Sequence, residues 1–282
     1  MHSPVVSFYN QRAKVRNKRE DSPIFYLRAY NNWVKALLIQ TYCREGFSVF
    51  DDAGGKGGDL LKWLKARIGH LVFIDISEES VKEAESRYKK LRTFPAIFMT
   101  SDLTKDIRRQ LDNLGIDFDL VSCQFALHYS FETEDKARNF VRNAAYRLKP
   151  GGFFIGTIPD ANWIVYHLRK YGPKFGNDLY TIRFESKNLT KFGARYEFFL
   201  RDAIENVPEY LVHFPTLTDI CRDNGMNVVY QKRFYEFYLE NKTEKNMKLM
   251  ERMKVFDEKG SIPEDIWEIA GMYMAFAFQK AM

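Results

Sequence analysis

A chain of 282 residues with 45% hydrophobic and 28% charged side chains can bury a full core, which excludes a disordered or fibrous protein. The three cysteines, Cys43, Cys123 and Cys221, lie far apart without a CxxC pair, which excludes a disulfide scaffold and gives no metal site to expect. The formal net charge of +6 suits a polyanionic partner without identifying one.

No apolar run reaches the roughly 18 residues needed to span a bilayer, and Met1-His2-Ser3-Pro4 opens no signal-peptide core, so an intracellular protein with no membrane partner is expected. Arg12, Lys14, Arg16, Lys18 and Arg19 fall in a stretch with few apolar residues, and residues 1–22 read as a loosely ordered basic arm. Apolar runs then alternate with amphipathic ones. Strands are predicted at Ser48–Asp52, Leu71–Ile76, Ala96–Thr100, Phe118–Gln124 and Gly152–Ile158, with helices such as Glu78–Arg92 and Lys136–Leu148 between them. This order predicts an α/β, Rossmann-like fold: a mostly parallel central sheet with flanking helices. In the helix Glu78–Arg92, Val81, Ala84, Tyr88 and Leu91 share one face, and Lys82 and Arg87 point outward. Lys149-Pro150-Gly151-Gly152 reads as a helix stop turning into a strand. From Ala161 the pattern becomes irregular, so an inserted lobe is expected around 161–215 within a single domain, 23–282. Gly271–Gln279 reads as a closing strand.

The strongest local signal follows Ser48–Asp52. A glycine-rich turn, Ala53-Gly54-Gly55-Lys56-Gly57-Gly58-Asp59, leads into a helix start, and a second acid, Asp75, ends the next strand 20 residues after Gly55. Strand, loop, helix and acid together mark a site for a nucleoside-containing cofactor, with the acid placed to accept ribose hydroxyls. A ligand-free glycine turn is the plain alternative, and a nicotinamide cofactor is the rival ligand. Asp59 within the loop disfavours a pyrophosphate and suits a cationic sulfonium, so S-adenosylmethionine is expected.

The string Gly55-Lys56-Gly57-Gly58-Asp59-Leu60-Leu61-Lys62-Trp63 closely resembles the cofactor loop of eukaryotic messenger RNA cap guanine-N7 methyltransferases, which are class I methyltransferases. Ile24–Lys35, Ser122–Phe131 and Val207–Pro215 match the same family in the same order. The resemblance implies methyl transfer to N7 of the 5′ GpppN cap, with capped RNA as substrate and a nuclear location. It implies association with a capping enzyme or RNA polymerase II. By its motifs the cofactor is held by Lys35, Ala53, Gly55, Asp59, Asp75, Asp102, Gln124 and Tyr129. Asn31, Asn32, Lys56, Lys62, Arg87, His128, Pro159, Phe198, Glu209 and Tyr273 match positions around the cap. His128, Tyr129, Glu209 and Tyr273 are the positioning set. No general base is expected, because guanine N7 carries a lone pair and no proton. Outside that resemblance His128 and Tyr273 read as core, Glu209 as a helix cap, Lys62 and Arg87 as solvated charges, and Phe198 as packing.

The cofactor loop departs from the family at three positions. The family loop reads Asp-Leu-Gly-Cys-Gly where this chain has Asp51-Asp52-Ala53-Gly54-Gly55. Ala53 is expected to strain the loop if its position needs a positive φ, Gly54 to restore flexibility, and Asp52 to be costly if buried unpaired. Cofactor binding is expected to survive, weakened. The short stretch Glu240–Pro263 stands where vertebrate relatives carry the lobe that accepts an activating subunit, so no activator subunit is expected. No Lys-x-Asp-Gly nucleotidyl-transfer motif is present. Two other classes stay open: a weak or inactive paralogue that binds capped RNA or a capping partner, and a small-molecule or protein methyltransferase on the same fold.

Overall fold

The computed structural model describes residues 21–91, 93–186 and 189–282. The basic arm therefore lies outside the described residues, except for Asp21 and Ser22.

The chain opens with helix α1 (Phe25–Tyr42), whose buried face includes Tyr30, Trp33, Val34 and Leu37. Strand β1 (Ser48–Asp52), helix α2 (Leu60–Ala66), β2 (His70–Asp75) and α3 (Glu78–Lys89) form the first crossover units. β3 (Ala96–Thr100), α4 (Arg108–Leu114), β4 (Phe118–Gln124), a 3₁₀ turn (Leu127–Glu132), α5 (Glu134–Tyr146) and β5 (Leu148–Pro159) complete the parallel part. The helix starts are set by side chains: Ser77 Oγ accepts the Ser80 N–H at α3, and Thr133 Oγ1 accepts the Lys136 N–H at α5. Between β5 and the next core helix come α6 (Ala161–Tyr171) and four short strands, β6 (Lys174–Gly176), β7 (Tyr180–Arg183), β8 (Arg195–Leu200) and β9 (Ile204–Tyr210). These strands make a separate antiparallel sheet in sequential order. α7 (Phe214–Asp223), β10 (Met226–Arg233), α8 (Phe234–Glu240), α9 (Glu244–Arg252), α10 (Glu264–Gly271) and β11 (Tyr273–Lys280) close the chain.

The main sheet has seven strands in the order β10-β11-β5-β4-β1-β2-β3. β5, β4, β1, β2 and β3 are parallel, and β11 runs antiparallel between β5 and β10. The inner strands alternate between two buried layers, as a sheet covered on both faces requires. Val49, Leu71, Phe73, Leu120 and Ile155 face one layer, with Trp33 and Trp63 from the helices. Phe50, Val72, Ile74, Val121, Cys123 and Phe154 face the other, with Phe140 and Leu217.

The mostly parallel sheet and the closing strand match the sequence reading. Two local readings change. Lys149–Gly152 is not a helix stop before a strand but lies inside β5, where Gly151 takes φ 77 and the β4–β5 register shifts. The closing strand begins two residues later, at Tyr273, because Gly271 still ends α10 and Met272 caps it.

Candidate active site

Strand order reverses between β1 and β4, and the carboxyl ends of strands at such a point form a ligand crevice. A cavity of about 740 Å³ opens there. All eight residues expected at the cofactor line it: Lys35, Ala53, Gly55, Asp59, Asp75, Asp102, Gln124 and Tyr129, together with Lys56 and Arg87.

The loop after β1 is shaped by three unusual positions. Ala53 has φ 58 and Gly55 φ 59, so the residue that departs from the family glycine does sit in left-handed backbone. Gly54 does not have a positive φ. It is small because Phe73 on β2 fills the space: a Cβ at 54 would lie 2.7 Å from the ring Cζ. The next strand end turns its acid onto this loop. Asp75 Oδ2 accepts the Gly55 N–H at 2.8 Å and Oδ1 the Ser77 N–H at 2.8 Å, which fixes a carboxylate at the cavity wall. Burial pushes the Asp75 carboxyl up, against the pull of those N–H groups.

Asp59 is not the free counter-charge expected from its place in the loop. Its carboxylate meets Lys35 Nζ at 2.8 Å and Lys62 Nζ at 2.6 Å. Burial alone would raise its pKa, but the two ammonium groups outweigh it and hold the carboxyl at about 2. The triad carries a net positive charge, which suits a carboxylate on the ligand and not a sulfonium. Lys62 also donates to Asn32 Oδ1 at 2.9 Å, and it does not line the cavity. Asn31 Oδ1 is buried without a hydrogen-bond partner.

Behind Asp59, Asp51 accepts the Trp63 indole N–H at 2.9 Å, and burial together with Asp59 pushes its carboxyl to about 7. Asp52 faces the opposite layer, beside its register partner Cys123, and both its oxygens are buried without a hydrogen-bond partner among the described residues. Burial, then the charges of Asp51 and Asp75, raise its pKa well above the usual range. It is a carboxylic acid in an apolar layer, the costly outcome anticipated for that position.

On the far side Asp102 Oδ1 accepts the Thr104 N–H at 3.0 Å and hydroxyl at 2.6 Å. Gln124 is held between Ser122 Oγ at 3.0 Å and the Thr157 hydroxyl at 3.1 Å. Phe125, which no sequence signal singled out, takes φ 58 and packs edge-on against Tyr273. A left-handed aromatic residue is a strained one, and such strain concentrates at functional sites.

Tyr129 links the cavity to a buried cluster. Its hydroxyl donates to Glu209 Oε1 at 3.5 Å, while Tyr196 donates to Oε2 at 2.7 Å. His128 Nε2 lies 3.4 Å from the same Oε1, and neither ring nitrogen makes a hydrogen bond among the described residues. Glu209 and His128 are each 2% exposed. Tyr273 stands opposite Pro159 in the β11–β5 register. Phe198 is 1% exposed and belongs to the core cluster on that side, not to the cavity wall. Tyr196 and two cations at the cavity wall, Lys136 and Arg195, were not anticipated. Their places depend on pairing between β8 and β9 and on the approach of α5, which no local motif encodes. Among the described residues no cluster of His, Cys, Asp or Glu is arranged to hold a metal ion, and no helix is long and apolar enough to cross a membrane.

The cavity fits a nucleoside bearing an amino-acid tail: a fixed acid for the ribose, a second acid beyond it, and a positive triad for a carboxylate. Solved methyltransferase structures share this architecture. The CcbJ methyltransferase from Streptomyces caelestis matches with a TM-score of 0.59 at 12% identity, over 97% of this chain and 96% of that one. The N-methyltransferase NodS from Bradyrhizobium japonicum, solved with S-adenosyl-l-homocysteine, matches with a TM-score of 0.55 at 11% identity, over 99% of this chain and 100% of that one. The fold is that of a class I S-adenosylmethionine-dependent methyltransferase. Sequence comparison narrows this. A family model described as the mRNA (guanine-N(7))-methyltransferase domain matches residues 1–281. The mRNA cap guanine-N(7) methyltransferase 1 of Oryza sativa is 38% identical over 98% of this chain and 80% of its own length. That of Schizosaccharomyces pombe is 39% identical over 98% and 81%. The chain belongs to the mRNA (guanine-N(7))-methyltransferase family.

Proposed function

We propose that this chain transfers the methyl group of S-adenosylmethionine to N7 of the guanosine cap on messenger RNA. The observation that carries the reading is the buried Glu209, held by two phenols one side chain away from the cofactor cavity. S-adenosylmethionine supplies an electrophilic methyl on a sulfonium. The protein's work is then placement, which can contribute roughly 7 to 11 kcal/mol of barrier reduction. Lys35, within the positive triad, takes the methionine carboxylate. Asp75 takes the ribose and Asp102 the adenine amino group, with Ala53, Gly55, Asp59, Gln124 and Tyr129 completing the wall. Glu209 accepts from the N1 and N2 donors of guanine, which adenine cannot offer in that pattern. The same carboxylate stabilises the positive charge that grows on the base. His128, Tyr129 and Tyr273 orient it, with Asn31, Asn32, Pro159 and Phe198 around them. Lys56 and Arg87, each now beside Glu83, and Lys62 behind them serve the triphosphate.

Residues 23–282 act as one methyltransferase domain with the lobe around 161–215 inserted, and residues 1–22 as a basic arm. The reading carries with it nuclear action, association with a capping enzyme or RNA polymerase II, and activity without an activating subunit. The test is incubation with radiolabelled methyl donor and GpppG-capped RNA, with the digested product chromatographed against an N7-methylguanosine cap standard. Label in that cap is expected. Cap binding without label would assign the chain to the binding paralogues instead.

A further inference from the structure

The lobe strands β8 and β9 carry two adjacent register pairs that face opposite ways. Tyr196 and Glu209 form one pair, and both are buried. Arg195 and Tyr210 form the next, and both line the cavity. Successive pairs are only about 3.4 Å apart along a strand. The Arg195–Tyr210 pair therefore stands at the cavity wall one register step from the buried Glu209. Lys136, in the first turn of α5, joins them at the cavity wall, with Glu132 beside it. Lys56 and Arg87, from the glycine loop and α3, line the same cavity.

We infer that Arg195, Tyr210 and Lys136 bind the capped RNA just beyond its first transcribed nucleotide, the two cations on the phosphates that follow it and the Tyr210 ring against the next base. The inference rests on the cap reading above. A planar aromatic beside cations is how single-stranded RNA is held without reading its sequence. The carboxylates now beside these cations do not prevent it. Arg195 meets Glu185 and Glu197 only at 3.5 Å, and its side chain is 44% exposed, so water screens both pairs. Lys136 and Glu132 are similarly exposed. A phosphate can replace such partners at little cost. The ion pairs of Arg195 and Lys136 are with Glu185, Glu197 and Glu132, and not with Asp75 or Asp59.

The experiment compares the KM for the dinucleotide GpppG with that for a short GpppG-capped RNA, in the parent and in Arg195→Ala/Lys136→Ala. The parent's turnover of GpppG tests the cap reading by itself. The ratio of the two KM values tests this inference. In the double variant the RNA-to-dinucleotide KM ratio should rise about tenfold, and the salt dependence of RNA binding should weaken by about 0.7 in log–log slope per cation removed. Tyr210→Leu should raise the ratio with no change in salt slope, and Arg195→Lys should keep the parent ratio. An unchanged ratio in the double variant overturns the inference. So does an equal rise in both KM values, because it would place the cations at the cap or the cofactor.

Discussion

Gly54 and Phe73 share one space: the Phe73 ring on β2 occupies the volume that any side chain at residue 54 would need. The family loop carries a cysteine there, so restoring the family residue here should be harmful. Overpacking a rigid site costs about 1 to 3 kcal/mol, and this one sits under the cofactor loop. Gly54→Cys should lower the melting temperature and weaken S-adenosylmethionine binding at least tenfold by calorimetric titration. Adding Phe73→Ala should recover most of the affinity. If the single variant binds as the parent does, the shared space is not a constraint.

Ala53 makes the opposite case. An L-residue in left-handed backbone costs about 1 to 2 kcal/mol. Glycine would remove that strain but return about 0.4 to 1 kcal/mol through the unfolded chain. The balance favours Ala53→Gly by a fraction of a kcal/mol to about 1 kcal/mol, with a melting point higher by about 2 °C. Because residue 53 lines the cavity, cofactor affinity should also rise a few-fold. Weaker binding on titration would mean that the methyl itself makes a contact the ligand needs.

The cofactor half of the site was legible because its parts are local. A strand, a glycine turn and an acid at the next strand end are read from spacing, and the structure assembles them as that spacing demands. The departures were legible as positions, yet their consequences depended on neighbours. Phe73 is ordinary in an apolar strand until it meets Gly54, and Asp52 is alarming only once its layer is known to hold Phe50, Ile74 and Cys123. The substrate half was legible only through family motifs. Glu209 gains its meaning from Tyr196, a cross-strand partner in a short irregular sheet. Phe125 and Arg195 gave no signal because neither a positive φ nor a cavity-facing register is visible in residue type.

Asp52 should make stability depend on pH. A carboxyl that holds its proton more tightly in the folded than in the unfolded chain contributes fully below its unfolded value, roughly pH 4, and loses that contribution as pH rises through its folded value. Asp52, raised well above the usual range, and Asp51, raised to about 7, both act in this sense. Asp59, held at about 2, loses its contribution only in strong acid. The protein should therefore melt lower at pH 8 than at pH 5.5. Asp52→Leu, the family residue, should be more stable by about 2 kcal/mol, because an unpaired buried polar group is removed. At this chain length that is about 4 to 8 °C. Calorimetry across this pH range should also show a shallower slope. A variant as pH-dependent as the parent would mean that Asp52 does not titrate there.

On the proposed reading, recognition of the base turns on Glu209. Glu209→Gln keeps the shape and an acceptor for the Tyr196 hydroxyl, but it places an NH₂ donor against the donors of guanine and removes the negative charge. Losing one such transition-state contact costs about 2.7 to 4 kcal/mol, so kcat/KM for GpppG-capped RNA should fall at least a hundredfold. The affinity for S-adenosylmethionine should stay within twofold, since Glu209 does not line the cofactor cavity. Tyr196→Phe leaves the carboxylate in place without its 2.7 Å partner and should cost about tenfold, the value of one hydrogen bond to a charged group. Steady-state kinetics with a parallel cofactor titration separates the two effects. A Gln variant within threefold of the parent would remove Glu209 from the guanine site and leave its burial between two tyrosines as a purely structural feature of the lobe.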